Sequence, residues 1–471
     1  MAYNGDCNKA FADSYMLLKP EDAHFFDLLH VLYSRNLAHR KFVESHADGA
    51  VEESFRHRWL IFVSVVLQKI LMLLAKPLAL FGSCVETLIN LVALNGGLFM
   101  ILINFLSGHL VIPNRTAPNY LSCIGNLDAR VKLDAVKRED SKYYVSLAMM
   151  ASKASYENAA YLKALISGHW KMEFVGFYDC WNDFQGKATT QVLIVLDKYE
   201  DRDTYVVAFR GTEPFDADAW CTDLDISWYG IPGVGKMHGG FMKALGLQKN
   251  VGWPKEIQRD ENLPPLAYYV IRDILREGLS ENPKAKFILT GHSLGGALAI
   301  LYPTIMFLHD ENLLMERLEG IYTFGQPRVG DEAYAQYMRQ NLKKNSIRYC
   351  RFVYCNDIVP RLPYDDKDLL FKHFGVCLFF NRRYELRVLE EEPNKNYFSP
   401  WCVIPMIFNA ILELIRSFTI AYNNGPHYRE GWFLFGFRMV GLLIPGLPAH
   451  GPQDYINSTL LGSIEGHFKA D

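Results

Sequence analysis

The pentapeptide Gly291-His292-Ser293-Leu294-Gly295 constrains the fold of this chain more than any other feature. The apolar run Phe287-Ile288-Leu289 precedes it and Gly296-Ala297-Leu298-Ala299-Ile300-Leu301 follows it, so the serine falls on a turn between a strand and a helix. A serine on so sharp a turn has strained backbone angles, and the residues two positions away must lack bulk for the chain to pass close to itself. Gly291 and Gly295 meet that need. The start of a helix also offers unpaired N–H groups and a favourable dipole to negative charge, which suits Ser293 to attack on a carbonyl carbon.

The surrounding sequence alternates strand and helix patterns. Gln191 to Leu196 and Thr204 to Phe209 flank a polar turn and predict a β-hairpin. An amphipathic run from Leu266 to Leu279, the strand before Ser293, the helix after it, and strands at Ile321 to Phe324 and Tyr349 to Tyr354 then predict an α/β architecture. Ser141 to Leu165 reads as helical.

A serine hydroxyl needs a base, and the base needs a carboxylate; on a strand, elbow and helix frame the chain order is serine, acid, histidine. Asp357, directly beyond the Tyr349 to Tyr354 strand, is the best-placed acid, whereas Asp365, Asp366 and Asp368 are expected to face water. His373, His427, His450 and His467 all obey the order. His450 lies in the glycine- and proline-rich loop Pro448-Ala449-His450-Gly451-Pro452, the kind of loop on which a scaffold presents chemistry. A second oxyanion donor beside the N–H of Leu294 must follow an earlier strand, and Thr212, after Phe209-Arg210-Gly211, is the candidate.

A second constraint lies upstream. From Trp59 to Pro113 only Lys69, Lys76 and Glu86 carry charge, and a central Asn95-Gly96-Gly97 predicts a turn between two apolar arms. Roughly 20 apolar residues cross a bilayer, so residues 59–113 are expected to associate with lipid, as a re-entrant hairpin or a single span; the alternative is a pair of buried helices packed on the globular domain, although a globular helix usually keeps a polar face. Arg56 and Arg58 before the block and Arg115 after it favour both ends on the cytosolic side. A further apolar block, Trp401 to Leu447, is broken by the polar stretch Asn423 to Glu430. The chain is thus expected to comprise a polar region, 1–58, the lipid-associating segment, 59–113, and a catalytic domain, 114–471, with an insertion at 401–447.

Composition excludes other classes. Of 471 residues half are hydrophobic and 21% are charged, which rules out a disordered chain. Lys and Arg number 49 against 52 Asp and Glu, a net charge of −3 with no basic stripe, so nucleic acid is not an expected partner. Nine cysteines without a C-x-x-C pair are expected to be reduced thiols and not a zinc site. The first twenty residues contain no secretory h-region.

Together, Phe209-Arg210-Gly211-Thr212, Met237-His238-Gly239-Gly240-Phe241, Gly291-His292-Ser293-Leu294-Gly295-Gly296, Thr323-Phe324-Gly325-Gln326-Pro327-Arg328-Val329-Gly330 and Asn356-Asp357-Ile358-Val359-Pro360 resemble the class 3, fungal-type triacylglycerol lipase family, over roughly Gln191 to Leu362. The upstream hairpin and the Pro448 to Asn457 region further resemble the plant oil-body lipases. The resemblance implies an α/β-hydrolase fold, Ser293 as nucleophile with Asp357 and His450 as its relay, Thr212 and Leu294 as the oxyanion hole, and no metal or organic cofactor. The family places its histidine closer behind the aspartate than this chain does. Glu213 to Tyr229 occupies the position of the family's lid, an amphipathic flap that would open at an oil surface.

The expected function is hydrolysis of triacylglycerol, and of di- and monoacylglycerol, to free fatty acids through an acyl-enzyme. The expected partners are neutral lipid at an oil–water interface and the surface of a lipid droplet or membrane. The expected location is the droplet surface, with the endoplasmic reticulum membrane as a second site and the enzyme facing the cytosol. Two alternatives are an acylhydrolase for polar membrane lipids and a catalytically dead droplet coat or tether. Oligomeric state is not legible in the sequence.

Overall fold

The structure, a computed structural model, describes residues 11–34, 37, 40–45, 54–133, 136–199, 202–249, 251–257, 262–363, 371–395 and 400–464. The expected β-hairpin is there and longer than read: β4 (Lys187–Tyr199) pairs antiparallel with β5 (Arg202–Phe209), and β3 (Glu173–Asn182) adds a third strand on its outer side. From β5 the sheet continues in parallel through β8 (Lys286–His292), β9 (Leu318–Phe324), β10 (Arg348–Tyr354) and β11 (Val376–Phe380). An antiparallel edge strand, β12 (Leu386–Leu389), completes the order β12-β11-β10-β9-β8-β5-β4-β3. Both faces of the central strands are apolar, which a helix-covered parallel sheet requires.

Side chains alternate between two cores. Val192, Ile194, Val207, Phe209 and Leu289 point to one face, covered by α8 (Gly239–Leu245), α9 (Ala267–Glu281), α10 (Leu294–His309) and α12 (Glu332–Lys344). Leu193, Val195, Val206, Ala208 and Ile288 point to the other, covered by α5 (Tyr143–Ala154) and α15 (Pro452–Leu461). This is a three-layer α/β-hydrolase arrangement with β8 and its elbow at the centre. Short helices α4 (Cys123–Leu127), α6 (Ala159–Lys163) and α11 (Asn312–Arg317) connect the larger elements. The helix read over Ser141 to Leu165 breaks after Ala154, where Asn158 caps α6 by accepting from Tyr161 N–H.

The N-terminal region is joined to the rest of the chain and does not stand apart from it. β1 (Ser14–Leu18) pairs with β2 (Val43–Ser45) and with β6 (Trp228–Ile231), which pairs in turn with β7 (Gly235–His238) in a small antiparallel sheet. Met16, Leu18 and Phe42, with Leu28 and Val31 of α1 (Phe25–Tyr33), pack there on Ile61 and Val65. Burial of these scattered apolar residues needs partners far along the chain, so a local reading of 1–58 as polar does not detect it.

The apolar block is a helical hairpin. α2 (Phe55–Leu94) and α3 (Leu98–Leu106) are joined at Gly96 and Gly97, whose positive φ of 78° and 112° suits glycine. The asparagines that interrupt the block tie the returning chain to α2: Asn95 exchanges hydrogen bonds with Val111 N–H and C=O (3.0 and 2.8 Å), and Asn90 does so with Leu121 (2.9 and 2.8 Å). α3 buries none of its side chains. Arg58 is not a free flanking charge, because its guanidinium donates to the carbonyls of Val31, Leu32 and Ser34 at the end of α1.

Candidate active site

β8 and α10 meet at Ser293, whose φ of 60° and ψ of −131° is the strained geometry expected of the elbow. The two glycines are required sterically. A Cβ on Gly291 would lie 2.1 Å from Gly295 C, and one on Gly295 would lie 2.1 Å from Phe209 O. Ser293 N–H donates to Phe324 O (2.9 Å), pinning the turn to β9. Leu294 is the first residue of α10, so its N–H has no carbonyl within the helix to bond.

Asp357 follows β10 and is fully buried. Its carboxylate accepts from His450 Nδ1 (2.8 Å to Oδ2), from Val359 N–H (2.9 Å to Oδ1) and from the Tyr455 hydroxyl. Arg361, also buried, donates to the backbone carbonyls of Cys355, Asp357 and Pro393 and fixes the loop. Because a carboxylate only accepts, Nδ1 carries a proton, and in the neutral ring Nε2 is the nitrogen that holds the lone pair. Nε2 is buried and has no hydrogen-bond partner among the described residues.

The His450 ring stacks on that of His292, the residue before Ser293, with centroids 4.6 Å apart. His292 Nε2 donates to His450 O (2.8 Å), which leaves its Nδ1 to accept from the Tyr156 hydroxyl (2.9 Å). Burial, helped by the neighbouring His450, holds His292 well below the ordinary imidazole value, and the bond to His450 O only partly opposes this. A neutral His292 thus ties the histidine loop to the elbow. Gly325, with φ +61°, lies under the pair, and a Cβ there would come within 2.8 Å of Asp357 Oδ2 and 2.9 Å of His450 Nδ1.

Thr212 reaches the elbow through Gly211, where a Cβ would meet Tyr156 Oη at 2.0 Å and His292 O at 2.5 Å. The Thr212 hydroxyl donates to Asp223 Oδ2 (2.7 Å), on α7 (Ala217–Leu224). Burial pushes the Asp223 carboxyl up to about 7, opposed by the Thr212 bond and the nearby His450. α7 lies in the segment read as a lid, and α2 packs along it. Ser64 Oγ donates to Leu224 O (2.6 Å), and Phe215 stacks edge-on against Phe81 (5.3 Å).

The structure therefore brings Ser293, Asp357, His450, Thr212 and Leu294 around one elbow. His373 is elsewhere, buried with Nε2 bonded to Pro360 O (2.7 Å). His427 is exposed between the two helices of the insertion. His467, Asp365, Asp366 and Asp368 lie outside the described residues. Tyr455, His292, Tyr156 and Asp223 were not singled out from sequence. Gly325 was legible only as part of a motif, and Tyr455 only as a neighbour of the histidine loop. No group of three His, Cys, Asp or Glu among the described residues could hold a metal ion.

Residues 206–367 match the family described as lipase (class 3). A protein of Arabidopsis thaliana named triacylglycerol lipase OBL1 is 41% identical over 97% of this chain and 96% of its own length. A tobacco protein of the same name is 41% identical over 86% of this chain and 84% of its own. A lipase of Rhizomucor miehei is 33% identical over 34% of this chain and 38% of its own.

Proposed function

We propose that this chain, which belongs to the class 3 lipase family and is a carboxylic ester hydrolase, cleaves triacylglycerol, with di- and monoacylglycerol as further substrates, at the surface of lipid droplets. Ser293 Oγ attacks the ester carbonyl as its proton passes to His450 Nε2, and Asp357 steadies the imidazolium formed. The N–H groups of Leu294 and Thr212 receive the developing oxyanion. His450 then returns the proton to the departing glyceride alcohol, leaving an acyl-serine. Water, deprotonated by the same nitrogen, releases the fatty acid and restores the enzyme. The observation that carries this reading is the bare, buried Nε2 of a histidine whose other nitrogen is held by a buried carboxylate and whose ring is stacked against the elbow. Ser293 is only 7% exposed, so substrate access needs a neighbouring segment to move. α7, bonded to Thr212, is the segment we assign as lid.

The test is fatty-acid release from emulsified triacylglycerol and from phospholipid vesicles by the full chain and by Ser293→Ala. Release from the emulsion, its loss in Ser293→Ala, and fluorophosphonate labelling that depends on Ser293 are the expected results. Normal turnover by folded Ser293→Ala, or release confined to phospholipid, refutes the proposal.

A further inference from the structure

The insertion folds as α13 (Pro400–Asn424) and α14 (Trp432–Val440), and both helices have the polarity of a water-soluble helix reversed. Their charged side chains point into the protein. Arg416 donates to Asp454 Oδ1 (2.6 Å) and to the Tyr354 hydroxyl (2.6 Å), and Glu413 accepts from the same hydroxyl (3.2 Å). Arg438, on α14, is buried and holds Glu430 through two bonds of 2.6 Å and Asp454 through two of 3.1 Å.

Their apolar side chains point out. Ile404, Phe408, Ile411, Ile415 and Phe418, spaced four, three, four and three residues apart, form one exposed row on α13. Trp401 and Tyr422, 89% and 91% exposed, stand at its two ends. Trp432 and Met439 of α14 and Leu443 beyond it are exposed too, and Phe418 meets Phe435 edge-on at 5.1 Å, joining the two helices into one platform. Scattered exposed apolar residues are ordinary, whereas a continuous face of them marks a contact surface.

We propose that the α13–α14 platform lies in the plane of a phospholipid monolayer, with its outward row in the acyl region, and so presents the Ser293 site to the lipid beneath. The proposal rests on the reading of this chain as an enzyme of lipid surfaces and adds a second contact to α2–α3. The spacing alone would also suit a coiled coil with a second copy. That seam, however, needs charged residues on its flanks to pair, and here the flanks hold Pro405, Ile407, Leu412, Leu414, Thr419 and Ala421. An uncharged, widened apolar face with aromatic ends is what an interfacial helix presents to lipid. Crossing the bilayer is excluded by the inward charges, because Arg416 and Arg438 are bound to Asp454 of α15.

Those ion pairs also connect the platform to the chemistry. Asp454 lies four residues after His450. Gly441, just past α14, sits so close to Pro448 that a Cβ would lie 2.8 Å from its Cγ. The histidine loop is therefore held at a fixed position relative to the lipid-facing row.

Two measurements on the full chain test this. The first is quenching by brominated phosphatidylcholine in the monolayer of a triolein emulsion, taken as the difference between wild type and Trp401→Phe. The second is turnover on that emulsion divided by turnover on a soluble short-chain ester, for wild type and an Ile404→Gln/Phe408→Gln/Phe418→Gln variant. We expect Trp401 to be quenched, and the ratio to fall at least about tenfold while soluble-ester turnover stays within about twofold. An unquenched Trp401 or an unchanged ratio overturns the proposal, as does a wild-type dimer that the triple variant converts to monomer. If instead wild type shows the quenching but releases no fatty acid from the emulsion, the reading as a triacylglycerol lipase fails and the docking surface stands.

Discussion

Replacing Gly325 with alanine probes the Asp357–His450 pair without substituting either residue. The added Cβ would lie 2.8 Å from Asp357 Oδ2 and 2.9 Å from His450 Cε1 and Nδ1, where ordinary contact begins at 3.4 Å, so the pair must retreat by about 0.5–0.6 Å. Catalytic groups work within about 0.5 Å of their productive geometry, and a misplacement of about 1 Å costs on the order of a hundredfold. A retreat of this size is therefore expected to lower kcat roughly ten- to a hundredfold. The left-handed backbone at φ +61° adds roughly 1–2 kcal/mol of instability. Gly186 supplies the control, since it has φ +64° and nothing within 4 Å of its would-be Cβ. Gly186→Ala should suffer the same backbone penalty and keep its activity. The assay is kcat on a soluble short-chain ester, which avoids interface binding, together with urea unfolding of both variants. If Gly325→Ala turns over within about twofold of wild type, the close fit beneath the Asp357–His450 pair does not matter and the argument is wrong.

Four further outcomes are expected. Tyr455→Phe removes a donor from the buried Asp357 carboxylate and strands Tyr354 N–H, so kcat should fall about tenfold with KM little changed; equal kcat values would deny Tyr455 that role. Asp223→Ala frees the Thr212 hydroxyl from its partner and should lower kcat about tenfold on the same ester. Asp223→Asn keeps an acceptor for Thr212 but removes a carboxyl raised from 3.8 to about 7. Wild type loses stability as pH rises between those values, so the variant should gain on it in urea at pH 8, and a variant no more stable there would contradict the burial argument. Burial lowers His238 from 6.5 to about 4, the opposite sign: the unfolded chain binds this proton first, so its contribution is present above pH 6.5 and lost as pH falls towards 4. His238→Asn, which can still cap α8, should flatten urea stability across that window by up to about 3 kcal/mol relative to wild type; parallel curves would place the titration elsewhere.

Chemistry that closes over a few neighbouring residues was legible without the fold. The strand, Gly291, Ser293, Gly295 and the helix are contiguous, and the steric demand of the elbow is met within five positions, so both the elbow serine and the α/β layering were legible. The Asn95-Gly96-Gly97 turn was legible for the same reason, because positive φ is a local property. The choice among four histidines was not local. Asp357 and His450 are 93 residues apart, and they meet because β10 displays one while the insertion returns the chain to α15 with the other. Tyr455, Tyr156 and Asp223 stayed hidden because their hydroxyl and carboxyl groups act through contacts across elements, for which a linear sequence has no periodicity. The apolar block at 401–447 was visible from composition, yet its orientation was not. Arg416 and Arg438 find Asp454 only once α15 is packed on the sheet, and that pairing decides which face of α13 and α14 is turned outward.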